Sequence, residues 1–122
     1  MNADKKKTVL VVDDDDSIRL LLCSLLEGEG CRAVPARHGR EALDLVEAGL
    51  PDMVLLDIQM PVLDGRGFAR EFHGRYNGSV PIVVVSAGNA KALAGEVGAS
   101  DWVGKPFDID HLLRVVRAHL KA

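Results

Sequence analysis

Aromatic residues make up only 4% of this 122-residue chain, one tryptophan, one tyrosine and three phenylalanines, so aliphatic side chains must build the core. No apolar run approaches the roughly 20 residues that a membrane span needs. The stretch after Lys5, Lys6 and Lys7 stops at Val12 and meets four aspartates, so neither a secretory leader nor a transmembrane segment is expected. Positive charge is also in short supply: 15 basic residues against 18 acidic ones leave a formal charge of -3. That balance supplies no field for wrapping nucleic acid or lying on anionic lipid. The two cysteines, Cys23 and Cys31, lack the paired spacing of a zinc site and read as small buried hydrophobes of a reducing, cytoplasmic compartment. His38, His73, His111 and His119 form no metal-like cluster, and the last two read as solvated.

What is present is ordinary in amount and regular in order. A hydrophobic fraction of 48% with 27% charged residues suits one packed domain, and the length leaves no room for a second, effector domain. Val9 to Val12 is a short apolar run rich in β-branched residues, as in a strand buried on both faces of a parallel sheet. Ile18, Leu21, Leu22, Leu25 and Leu26 then fall at helical spacing, with Asp15 or Asp16 as cap and Gly28 and Gly30 as stop. The alternation repeats: Arg32 to Ala36 extended, Arg40 to Ala48 helical, Met53 to Asp57 extended, Gly65 to about Tyr76 helical. Ile82 to Val85 is a second doubly buried strand, followed by a short helix through Ala90, Leu93, Ala94 and Val97. A brief strand from Asp101 to Val103 and an amphipathic helix from Ile109 to Leu120, capped by Asp108, close the chain. Pro35 marks its strand as an edge.

Strands alternating with helices predict an α/β fold, a doubly wound five-stranded parallel sheet in the flavodoxin-like order 2-1-3-4-5, with helices on both faces. Ligands of such sheets bind beyond the carboxyl ends of the strands. There the chain carries Asp13 to Asp16 after the first strand, Asp57 at the end of the third, Ser86 at the end of the fourth and Lys105 after the fifth. Carboxylates brought together repel unless a cation intervenes, and oxygen-only donors suit Mg²⁺. An ammonium and a hydroxyl beside that ion leave a place for a phosphoryl group, with a carboxylate as its acceptor.

Val-Val-Asp13-Asp14, Leu-Leu-Asp57-Ile-Gln-Met-Pro61 with Asp64-Gly65, Val-Val-Ser86-Ala and Gly-Lys105-Pro-Phe107 resemble the receiver domain of two-component response regulators, over nearly the whole chain. The resemblance implies a receiver at residues 8–122 behind a basic lead at 1–7. It implies that Asp57 takes a phosphoryl group from a histidine of a sensor kinase or phosphotransfer protein. Asp14 and Asp57 would hold Mg²⁺, for which Mn²⁺ can substitute, with Asp13 acting mainly through water and the Gln59 main-chain carbonyl as a further ligand. Lys105 would stabilise the phosphoryl group, and Ser86 and Trp102 would form the switch that alters an output surface. Pro61, Gly65 and Pro106 would shape the loops, the Lys105 to Pro106 bond being cis. Gln59 and Gly88 would tune the lifetime of the phosphorylated state, a small residue at 88 leaving a water path open. The protein would thus be a signalling switch that catalyses its own phosphorylation, from phosphohistidine or small phosphodonors, and its own dephosphorylation.

Ser86, Trp102 and Gly88 depart from the commonest residues at their positions. The interval from Ser86 to Lys105 is about three residues short of the usual one, roughly one helical turn, so the face around the fourth helix should be altered. Two other functions compete. The run Val-Val-Asp13-Asp14-Asp15-Asp16-Ser17 also resembles the opening motif of haloacid-dehalogenase-like phosphatases, with Asp13 as nucleophile, but leaves the Asp57 motif unexplained. A receiver fold kept only as a binding module would not need every phosphotransfer residue that this chain carries. An EF-hand fails because Ile18 and Ser24 stand where glycine and glutamate are required. Dinucleotide binding fails for want of glycines after the first strand. Kinase, effector, oligomeric state, and whether the chain stands alone or comes from a larger regulator are not written in these residues.

Overall fold

A computed structural model describes residues 6–60, 64–76 and 78–120. Five strands and five helices alternate: β1 (Thr8–Val12), α1 (Asp16–Gly28), β2 (Arg32–Ala36), α2 (Gly39–Ala48), β3 (Met53–Leu56), α3 (Gly65–Tyr76), β4 (Ile82–Ser86), α4 (Ala90–Val97), β5 (Asp101–Gly104) and α5 (Ile109–Leu120). All strand pairs are parallel and the order is β2-β1-β3-β4-β5, as predicted. Pro35 lies on the edge strand β2, opposite Val11, where its missing N–H is least costly.

The period of two along each central strand divides the core. Leu10, Val12, Val54, Leu56, Ile82 and Val84 face α2, α3 and α4, where Leu43, Val46, Phe68, Phe72 and Leu93 complete one layer. Val9, Val11, Met53, Leu55, Val83 and Val85 face α1 and α5, where Leu22, Leu26, Leu112 and Val116 complete the other. The few aromatics are concentrated on α3: Phe68 stacks on Phe72 at 5.4 Å, and Phe72 meets Tyr76 at 5.0 Å.

Side-chain caps set the helix starts. Asp15 Oδ1 accepts from Ile18 N–H at 3.0 Å, and Asp108 Oδ1 from Asp110 N–H at 3.0 Å. Helix α2 begins at Gly39, one residue earlier than the apolar spacing predicts, because His38 Nδ1 accepts from Glu41 N–H at 3.2 Å and acts as the cap. Helix α4, 8 residues long, is bracketed by an Asn89 cap and by Gly98 at φ 68, which leaves no place for another turn.

Candidate functional site

The carboxyl ends of β1, β3, β4 and β5 meet at one crevice. Asp13 follows β1, and its N–H donates to Ala36 O at 3.1 Å. It is only 1% exposed, and all its acceptors are engaged. Oδ1 takes the Asp15 N–H at 2.9 Å, Oδ2 the Lys105 ammonium at 2.8 Å, and the carbonyl oxygen the Arg19 Nη1 at 2.8 Å. Asp57 comes immediately after β3, its N–H donating to Val12 O at 2.9 Å, and is 6% exposed. Ser86 Oγ donates to its Oδ1 at 3.0 Å, while Oδ2 lies 3.6 Å from Lys105 Nζ. One carboxylate oxygen from each of Asp13, Asp14 and Asp57 falls within 4.8 Å of the other two, and of these three residues Asp14 alone is exposed.

The charges in this crevice are unevenly balanced. Burial pushes the Asp57 carboxyl above its usual range; Lys105 opposes the rise, Asp13 adds to it, and the Ser86 hydroxyl and Gln59 N–H offset part of it. Burial alone would lower the Lys105 ammonium, but its hydrogen bond to Asp13 and the charges of Asp13 and Asp57 outweigh burial and raise it. The ammonium is closer to Asp13 than to Asp57, so Asp57 is the undercompensated anion. A further cation beside Asp57 and the exposed Asp14 would correct that imbalance.

The remaining predicted residues frame this centre. Gly65 N–H donates to Ile58 O at 2.8 Å, and a Cβ on Gly65 would lie 2.6 Å from both Asp57 O and Ile58 Cα. Only glycine lets the start of α3 come so close to the backbone of Asp57 and Ile58. Pro61 lies outside the described residues. Lys105 N–H donates to Ser86 O at 3.0 Å, and the Lys105 to Pro106 bond is cis. Gln59 is exposed. Gly88, at φ 77, has nothing within 4 Å of where a Cβ would stand. Trp102 stands 40% exposed on the edge strand, with Lys91 Nζ 5.6 Å from its ring centroid. A cavity of about 290 Å³ lined by Thr8, Arg32, Leu45 and Leu50 lies at the opposite, amino-terminal end of the strands and contributes nothing here.

Two features differ from the sequence reading or were absent from it. His119 is not simply solvated: its Nε2 lies 2.9 Å from Asp101 Oδ2, tying α5 to β5, whereas His111 is exposed. Arg19 gave no sequence signal beyond its spacing from Asp16, because its other partner is a main-chain carbonyl.

A parallel sheet that gathers an aspartate pair, a buried aspartate, a hydroxyl and a lysine at its carboxyl edge is built as a phosphoacceptor switch domain. Comparison with known proteins supplies the family: the description "Response regulator receiver domain" matches residues 9–117, and the chain belongs to that family. It is 42% identical over 124 residues to the probable transcriptional regulator ycf27 of Guillardia theta, covering 99% of this chain and 48% of that protein. The response regulator MprA of Mycolicibacterium vanbaalenii is 40% identical over 116 residues, 93% of this chain and 50% of its own. The chain thus spans about half the length of these curated relatives. Among solved structures, the receiver domain of NtrX from Brucella abortus matches with a TM-score of 0.85 at 32% identity, covering 92% of this chain and 97% of that one. No helix among the described residues is long and apolar enough to cross a membrane.

Proposed function

We propose that this receiver domain takes a phosphoryl group onto Asp57 from a phosphohistidine of a sensor kinase or phosphotransfer protein and relays that state to an effector, within the cytoplasm. The observation that carries the reading is the contrast between the two buried aspartates. Both oxygens of Asp13 are held closely, by Asp15 N–H at 2.9 Å and by the Lys105 ammonium at 2.8 Å, whereas Lys105 stands off at 3.6 Å from Asp57 Oδ2. Asp57 is therefore the better nucleophile, and a phosphatase mechanism through Asp13 is disfavoured.

In the transfer an Asp57 oxygen attacks phosphorus in line. The new O–P bond forms as the N–P bond to the donor imidazole breaks, and the departing nitrogen takes up a proton. Lys105 is close enough to turn from Asp13 toward a phosphoryl oxygen. Ser86 can exchange its bond to Asp57 Oδ1 for one to the phosphoryl group, drawing the β4–α4 loop inward. Trp102 would follow into the vacated space and give up its contact with Lys91, worth about 0.5–1 kcal/mol at an exposed site. The open space at Gly88 and the exposure of Gln59 leave a route for the water that later hydrolyses the acyl phosphate.

The donor set fits a resident Mg²⁺, or Mn²⁺ in its place: Asp13, Asp14 and Asp57 offer hard oxygen ligands within 4.8 Å of one another. Asp14 and Asp57 would bind directly and Asp13 mainly through water, with the Gln59 main-chain carbonyl as a further ligand. When bound, the ion neutralises charge on the phosphoryl oxygens. Incubation with Mg²⁺ and a small acyl phosphate should add one phosphoryl mass to the wild-type chain and none to Asp57→Asn. Equal labelling of the variant would overturn the assignment.

A further inference from the structure

Arg19 sits in the first turns of α1, yet its side chain is only 13% exposed. A guanidinium in so short a stretch of surface helix is ordinarily solvated. Here it is folded back against β1, one arm donating to the Asp13 carbonyl oxygen at 2.8 Å and the other to Asp16 Oδ1. The Asp13 carbonyl belongs to the peptide that joins Asp13 to Asp14. Rotation of that peptide would swing the Asp14 side chain relative to Asp13, whose own position is already fixed by Ala36, Asp15 and Lys105. Asp14 is exposed, and among the described residues no hydrogen bond holds its carboxylate. Only the backbone keeps its oxygen within 4.8 Å of those of Asp13 and Asp57.

We propose that Arg19 is a positioning residue: its fork clamps the Asp13–Asp14 peptide to the first turns of α1 and so presets Asp14 for a divalent cation. The proposal rests on the acidic cluster being the cation site of the phosphoacceptor centre. Arg19 has two effects of opposite sign on a cation there, which makes its role separable. As a positive charge near the site it repels a dication, so removing it would tighten binding. As a clamp it pre-organises a ligand, so removing it loosens binding. The bond that carries the clamp, Arg19 to the Asp13 carbonyl, is charge-assisted and partly shielded from water, whereas the repulsion acts across a site open to solvent at Asp14, so the clamp dominates.

The test is titration of the unphosphorylated protein with Mn²⁺, read by the electron paramagnetic resonance of the free ion, with no phosphotransfer involved. Wild type and Asp14→Ala come first: binding by the former and its loss in the latter establish the site, and equal binding by both would refute the cation-site assignment itself. On that footing Arg19→Met should bind Mn²⁺ roughly tenfold more weakly, the scale of one charged hydrogen bond. Arg19→Lys keeps the charge but cannot grip both acceptors, and should fall between the two. Arg19→Met binding as tightly as wild type, or more tightly, overturns the proposal. If circular dichroism shows Arg19→Met to be unfolded, Arg19→Lys decides: weaker binding supports the clamp, and wild-type affinity overturns it.

Discussion

Replacing Asp57 by asparagine should stabilise the metal-free protein at neutral pH, although it destroys the proposed acceptor. Burial raises the folded-state pKa of Asp57 above its unfolded value, so ionisation of this carboxyl opposes folding. The penalty is absent below the unfolded pKa, grows as pH rises from there through the folded pKa, and is complete above it. Lys105 at 3.6 Å and the Ser86 hydroxyl at 3.0 Å offset part of the cost, and asparagine keeps the shape and can still accept the serine bond. What remains should be about 1–2 kcal/mol, the lower part of the range by which buried charges reduce stability. At a urea slope of about 2 kcal/mol per molar, the unfolding midpoint of Asp57→Asn should exceed wild type by about 0.5–1 M at pH 7. The gap should close in acid. Mg²⁺ should also narrow it, because wild type gains stability by binding the ion and the variant gains less. A variant less stable than wild type at pH 7 without divalent ions would refute the reasoning, since Asp57 would then be a compensated, stabilising charge.

Other perturbations separate the parts of the site. Gly65→Ala places a Cβ 2.6 Å from Asp57 O and Ile58 Cα, so it should cost about 2–3 kcal/mol in urea unfolding and slow acyl phosphate labelling; a neutral effect would mean the loop yields freely. Gly88 has open space around it but a left-handed backbone at φ 77, so Gly88→Val should lose about 1–2 kcal/mol while Gly88→Asn loses less than about 1. Both should prolong the phosphorylated state, measured by decay of the label, and an unchanged decay rate would count against the water route past residue 88. Arg117 holds the Glu29 carboxyl below its usual range through hydrogen bonds of 2.7 and 2.9 Å. Glu29→Gln should therefore be less stable than wild type at neutral pH, with the difference fading as pH falls through the depressed pKa; a difference that persists in strong acid would assign it to something other than this ion pair.

The topology was legible because a strand buried on both faces needs continuous apolar residues, and Val9–Val12 and Ile82–Val85 are unmistakable in that respect. Once the strand order was known, Asp13, Asp57, Ser86 and Lys105 had to converge, since all follow or end parallel strands. Element ends were less legible. The start of α2 depends on a histidine cap, which few sequences signal, and β3 ends at Leu56, one residue before the expected Asp57, although the Asp57 N–H still donates to Val12 O. His119 stands at helical spacing from Leu112, Val115 and Val116, so periodicity places it beside the apolar stripe of α5 and only its residue type suggests solvent; its partner Asp101 comes from an edge strand whose register no local pattern reveals. Arg19 was hidden for a related reason, because a backbone carbonyl has no residue identity to read. The left-handed conformation of Gly88 was hidden too, and it adds a backbone cost to what residue type alone presents as a question of side-chain size.

The central claim is that Asp57, and no other carboxylate of the crevice, receives the phosphoryl group. After reaction with Mg²⁺ and a small acyl phosphate, borohydride reduction converts the modified aspartate to homoserine, and peptide mass spectrometry locates it. The reduced residue should be found at position 57 alone. Reduction at Asp13 or Asp14, with Asp57 unmodified, would contradict the account.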